Sequence, residues 1–176
     1  MTTSIDTNQA RVFITTYGIY NEGKQFASDL HGYWMDCEGI DLNQIHYDFE
    51  KLTGDEPEIM FTDFEGFPKD LYCESGIDFE KVQQWIDLDD DQKELLQIIM
   101  DHELPDFVEA LAAIENYHVF EGTLADYAQE MGSDCYNISE MSHLANYIDW
   151  EAFGRDLAMD GMITEISHNQ QLINYG

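Results

Sequence analysis

The stretch from Asp78 to Glu115 carries twelve acidic residues against Lys81 and Lys93 alone, on sequence patterned for helices. Phe79, Val82 and Ile86 recur at i, i+3 and i+7 with Trp85 beside them, which predicts one short amphipathic helix. A second is predicted to follow Asp89, a suitable N-cap, with Gln92 at the capping-box position and Asp90 and Asp91 at the positive helix end. Leu95, Leu96, Ile98, Ile99 and Met100 continue it. That helix must stop near Leu104, because the residue before Pro105 is pushed out of the α region. Pro105 then suits the first position of a third helix, with Asp106 in its first turn and Val108, Leu111 and Ala112 inward. Carboxylates this dense repel one another, so a chain that keeps them on apolar-faced helices gains nothing in its own stability and points to an external, cationic partner.

The excess runs through the whole chain. Thirty-seven acidic residues against seven basic ones leave a net charge of −30, and Arg155 is the single base between Glu94 and Gly176. Such a field excludes nucleic acid and anionic membrane as direct partners. Hydrophobic residues make up 44% and aromatic residues 13%, which excludes a disordered acidic tail. Adaptation to high salt would give the same sign of charge, but an isoleucine- and aromatic-rich core and an otherwise ordinary composition argue against it. No apolar run reaches about 18 residues, so no membrane span is expected. Cys37, Cys73 and Cys135 are odd in number and widely spaced, the usage of a reduced, cytoplasmic protein.

The flanks predict an α+β fold of three small domains. Residues 1–10 read as a flexible lead-in. In a first α+β domain, 11–70, strands are expected at Arg11–Tyr17, Gly32–Met35 and Glu58–Phe64, with a turn at Tyr20–Gly23. Leu42, Ile45, Phe49 and Leu52 form a helix capped by Asp41. The acidic helices make a central domain, 71–115. In a third, α+β domain, 116–176, a strand at Tyr117–Glu121 leads through Gly122-Thr123 into a helix bearing Leu124, Tyr127, Ala128 and Met131, closed by Gly132. Helices at Ser139–Tyr147 and Trp150–Met159, the latter with Phe153, Leu157 and Ala158 inward, precede a hairpin of Met162–Ile166 and Gln171–Tyr175.

The sequence supports none of the familiar site chemistries. Asp87, Asp89 and Asp91 stand at positions 1, 3 and 5 of an EF-hand loop, but Gln92 replaces the glycine and Ile98 the bidentate glutamate. The six histidines lack ligand spacing, and no nucleophile elbow, dinucleotide fingerprint or P-loop is present. No catalytic residue, cofactor or metal is expected. Thirty charges match about 15 base pairs of B-DNA, on the order of 50 Å of axis, whereas a compact globule of this length has a radius of gyration of about 16 Å. An elongated chain would relieve repulsion and match a polyanion. The candidate phosphate-imitating surface is Asp78, Glu80, Asp87, Asp89, Asp90, Asp91, Glu94, Asp101, Glu103, Asp106, Glu109, Glu115, Glu121, Asp126 and Glu130. The less acidic segment from Tyr136 to Trp150 offers Ile138, Met141, Leu144, Tyr147 and Ile148 as the apolar contact of a C2 homodimer.

Four blocks in order carry a resemblance. They are the turn Tyr20-Asn21-Glu22-Gly23, the segment Gly32-Tyr33-Trp34, the run Phe61-Thr62-Asp63-Phe64-Glu65-Gly66-Phe67, and Tyr147-Ile148-Asp149-Trp150-Glu151-Ala152-Phe153-Gly154-Arg155-Asp156-Leu157. On these the chain resembles the ArdA antirestriction proteins over nearly its whole length. The resemblance implies an elongated, curved homodimer of three small domains per chain. Its carboxylates would imitate bent B-DNA and fill the DNA-binding groove of the methyltransferase core of type I restriction-modification enzymes, without catalysis. The family's antirestriction motif would fall near Tyr136–Trp150, at the dimer contact. Two readings from other classes stand beside it: an acidic module for another basic DNA-binding protein, and a carboxylate-based hydrolase.

Overall fold

A computed structural model describes residues 9–22, 32–53, 57–136 and 142–176. The chain folds as two compact units, Met1–Asp89 and Asp90–Gly176. The division falls inside the acidic stretch of the sequence, so the first of its helices belongs to one unit and the others to the next. The three-domain division expected from the sequence instead places its boundaries near residues 70 and 115. Of the expected lead-in, residues 1–8 lie outside the described residues, while Ala10 is buried and its carbonyl accepts a 2.9 Å bond from the Cys37 amide.

Unit 1 is a three-stranded antiparallel sheet in the order β2-β1-β3, from β1 (Arg11–Thr16), β2 (Tyr33–Asp36) and β3 (Ile59–Glu65). Val12 and Ile14 alternate into the core, as a strand with one covered face requires. A shift of register between Phe13 and Ile14 marks a bulge opposite Phe61–Asp63. α2 (Leu42–Thr53) buries Ile45 and Phe49, and the Phe49 ring stacks on Tyr33 at 5.8 Å. α3 (Phe79–Ile86) buries Val82 and Trp85; the indole N–H donates 2.9 Å to the Gly66 carbonyl, and Phe79 meets Phe61 edge-on. Gly66 has φ +79°, and a β-carbon there would lie 2.5 Å from the Gln9 carbonyl oxygen. Residues Tyr17–Glu22, where a strand end and a turn were expected, form a short helix, α1; Gly23 lies outside the described residues. Its start is held by the Thr16 hydroxyl, which accepts the Ile19 amide.

Unit 2 opens with α4 (Asp90–His102), which buries Leu96, Ile99 and Met100. Helix α5 (Phe107–Ala113) departs from expectation. Asp106 is its N-cap, accepting from the Val108 and Glu109 amides at 2.9 and 3.1 Å, so the helix starts two residues after Pro105. That register turns Phe107 and Ala110 inward, leaves Val108 and Ala112 exposed and Leu111 half-buried. β4 (Tyr117–Glu121), β5 (Ile163–Ser167) and β6 (Gln170–Asn174) form an antiparallel sheet in the order β4-β6-β5. It packs with α6 (Leu124–Tyr136) and α8 (Trp150–Met159) around Tyr127, Ala128, Leu157, Ile163 and Ile173, with Phe153 and Ala158 partly buried against them. The helices approach closely where a β-carbon on Gly154 would stand 2.5 Å from the Leu124 carbonyl oxygen.

Gly132 does not close α6, which runs on to Tyr136. A glycine terminator needs the left-handed conformation, and among the described residues the positive-φ glycines are Gly39, Gly66, Gly122 and Gly161. Of the helix expected over Ser139–Tyr147, the structure shows one turn, α7 (Ser142–Ala145); residues 137–141 lie outside the described residues.

Candidate functional site

Fourteen of the fifteen candidate carboxylates are exposed and Glu103 is half-buried. Asp78, Glu80, Asp87 and Asp89 belong to unit 1, and the remaining eleven to unit 2. They differ in what holds them. Asp78 and Asp106 cap α3 and α5 through backbone amides. Asp126 shares a reciprocal cap with Thr123: its Oδ2 accepts the Thr123 amide at 2.9 Å and hydroxyl at 2.7 Å, while the Asp126 amide donates to the Thr123 Oγ1 at 3.2 Å. Those bonds hold the Asp126 carboxyl below its ordinary pKa, the hydroxyl contributing most and the backbone N–H next. Glu80, Asp90, Asp91 and Glu109 lie in first helical turns, where the helix dipole favours them.

Other carboxylates stand where helix electrostatics disfavours them. Asp87 is the C-cap of α3, and Asp101 lies in the last turn of α4, both at negative helix ends. Each is oriented by a neutral donor four residues earlier: Gln83 Nε2 donates 2.8 Å to Asp87, and Gln97 Nε2 donates 2.9 Å to Asp101. The same arrangement recurs on α2, where Gln44 Nε2 donates 2.8 Å to Asp48. In unit 2, Gln170 Nε2 holds Glu121 at 2.8 Å and the Thr164 hydroxyl holds Glu103. A lysine or arginine at such positions would give a helix ion pair of comparable worth and cancel the charge. A glutamine or threonine fixes the carboxylate and leaves its charge whole.

Ion pairs among the described residues include those of Arg11 with Glu65, at 2.5 Å, and Lys81 with Asp78, at 4.0 Å. Both belong to unit 1. The field also acts on neighbouring groups. Burial, and then Asp36, pushes the Cys37 thiol up to about 12. Burial, and then Glu103, raises Tyr117.

The sequence reading overlooked the glutamine donors, although their signal is simple: Gln44/Asp48, Gln83/Asp87 and Gln97/Asp101 repeat one four-residue spacing. It also passed over the earlier carboxylates of unit 1, where Asp36, Glu38, Asp41 and Asp48 edge one open hollow of about 270 Å³. Among the described residues, no group of three or more His, Cys, Asp or Glu side chains is placed to hold a metal ion. No helix among them is long and apolar enough to cross a membrane.

The proposed dimer contact is only partly described. Ile138 and Met141 lie outside the described residues, and Leu144 falls in α7. Tyr147 is 86% exposed and Ile148 half-buried.

A comparison with curated proteins found no match. The chain does match the sequence profile of the family described as antirestriction protein (ArdA), over residues 12–170. That span covers nearly all of both units. The chain belongs to the ArdA family of antirestriction proteins.

Proposed function

We propose that this antirestriction protein acts as a non-catalytic mimic of B-DNA, occupying the DNA-binding groove of the methyltransferase core of a type I restriction-modification enzyme in the cytoplasm. The observation that carries the reading is the way the carboxylates are held. Asp87, Asp101 and Glu121 are exposed, and each is oriented by a side-chain amide that leaves its negative charge intact. A cationic groove gains from such a surface what it gains from DNA, namely partners for its lysines and arginines, while no phosphodiester bond is present to cut. Because restriction and modification use the same DNA-binding core, both are blocked. The exposed Tyr147 supports a homodimer joined through the Tyr136–Trp150 segment.

The test is competition with duplex DNA for a purified methyltransferase core. Displacement of DNA at one dimer per site, with affinity falling steeply as salt rises, is the expected result. Displacement that is equally effective for unrelated basic DNA-binding proteins would move the reading to a general acidic module. Binding to the core that leaves DNA in place would overturn mimicry.

A further inference from the structure

Unit 2 contains a second hollow, of about 310 Å³, whose charges do not fit an imitation of phosphates. It is lined by Thr123 and Leu124 at the start of α6, Glu151 and Arg155 on α8, Glu165 on β5 and His168 in the β5–β6 turn. Arg155 is the only base from Glu94 onward. Yet among the described residues its guanidinium makes no ion pair, although Glu151 lies one turn before it and Glu165 shares the hollow. Arg155 is exposed and has no ion-pair partner among the described residues, so its charge is open to a ligand.

The walls are built. Gly154 brings α8 against the Leu124 carbonyl, which sets Arg155 beside the start of α6. The Thr123–Asp126 cap fixes that start. Gln171 is fully buried, and its amide donates to the Gly122 carbonyl at 3.1 Å and the Ser167 carbonyl at 3.2 Å, tying together the two loops that supply Thr123 and His168. Its Oε1 is buried without a hydrogen-bond partner among the described residues, a costly arrangement offset by the Nε2 bonds that hold the rim of the hollow.

We propose that the hollow binds a small dibasic amino carboxylate, a free amino acid of the arginine or lysine type. Two carboxylates and one guanidinium face the space, so the complementary ligand carries one anionic group for Arg155 and positive charge for Glu151 and Glu165. A plain anion is repelled by the surrounding field, whereas a plain amine leaves Arg155 unpaired. The volume suits a molecule of this size and not a folded segment.

The experiment is calorimetric titration of the full chain with arginine and with agmatine, which has the same guanidinium and amine but no carboxylate. General attraction to a polyanion favours agmatine, the more positive of the two. The site predicts the opposite: saturable binding of arginine at one per chain, tighter than agmatine by about tenfold or more, the scale of one charge-assisted pair. Arg155→Gln abolishes that preference, Arg155→Lys retains part of it, and Glu151→Gln with Glu165→Gln weakens arginine itself. Circular dichroism of each variant separates a lost site from a lost fold, and the two-ligand comparison on the unaltered protein stands without any variant. Absence of saturable arginine binding, agmatine binding as tightly as arginine, or a preference that survives Arg155→Gln overturns the proposal.

Discussion

The two units carry almost equal numbers of acidic residues, nineteen in Met1–Asp89 and eighteen in Asp90–Gly176, yet five bases fall in the first and two in the second. Unit 1 spends some of its bases on its own acids: Arg11 grips Glu65 through Nε at 2.7 Å and Nη2 at 2.5 Å while lying over the Trp34 ring, 4.8 Å from its centre. Unit 2 fastens Asp101, Glu103, Glu121 and Asp126 with glutamine and threonine. Orienting a carboxylate and neutralising it are thus separable tasks. The first can be done by any donor, and only the second needs a cation. A surface meant to present charge to a partner uses neutral donors, and unit 2 is the purer example.

The largest expected effect comes from removing charge without touching the fold. Changing Asp87, Asp89, Asp90 and Asp91 together to Asn should lower the log–log salt slope of binding to the methyltransferase core by about 3 to 4, near 0.9 per lost contact. Single changes should hardly be seen. A second set outside the acidic stretch, Glu38, Asp48, Glu50 and Asp63, sharpens the comparison: a greater loss there would put the main contact surface in the sheet-bearing part of unit 1.

Next in size are the glycines. Gly154→Ala forces a β-carbon against the Leu124 carbonyl, and overpacking of this kind costs about 1–3 kcal/mol. Gly66→Ala in unit 1 meets Gln9 equally closely and adds the strain of a positive φ, so urea denaturation should show it to be the more damaging of the two.

Smaller and opposite in sign are the helix-end carboxylates. Asp106→Ala, which removes the α5 cap, should destabilise by about 1 kcal/mol. Asp101→Asn, at the wrong end of α4, should stabilise by about 0.3–1 kcal/mol. Thermal melts of both variants check the pair; destabilisation by both would mean that Asp101 serves the fold after all. Smallest is the effect of acid on the Asp126 cap. Its folded pKa lies below the ordinary aspartate value, so its contribution is complete above that value and is lost as pH falls through the depressed one. Thr123→Val should remove the larger share of this acid dependence, the hydroxyl's, and leave the share of the backbone N–H, measured as stability against pH.

Much of the local structure was legible in the sequence because single patterns governed it. β4 and α8 fall on Tyr117–Glu121 and Trp150–Met159 as read, and Asp41 caps α2 through the Asn43 and Gln44 amides. The misreadings arose where two local rules competed. Pro105 and Asp106 both suit a helix start, and the side-chain cap won, rotating Val108 outward. Gly132 reads as a terminator, but burial within α6 kept it helical. The division at Asp89–Asp90 was invisible because it depends on which sheet each helix packs with, and the acidic run on either side looks alike. The carboxylates of the candidate surface could be named by type; of the donors that orient them, Gln83 and Gln97 were readable from the Gln-to-Asp spacing, whereas Gln170 and Thr164 reach Glu121 and Glu103 only through the fold.

The central claim, that neutral donors keep the carboxylates charged for a cationic groove, is tested most directly by replacing Gln44, Gln83 and Gln97 together with lysine. Each lysine can still reach the aspartate four residues on, so the orientation survives and only the charge is cancelled. Binding of this variant to the methyltransferase core, measured against salt, should be weaker and its log–log slope flatter by up to about 3, while its thermal stability stays equal or rises. Unchanged affinity and slope in a correctly folded variant would contradict the account.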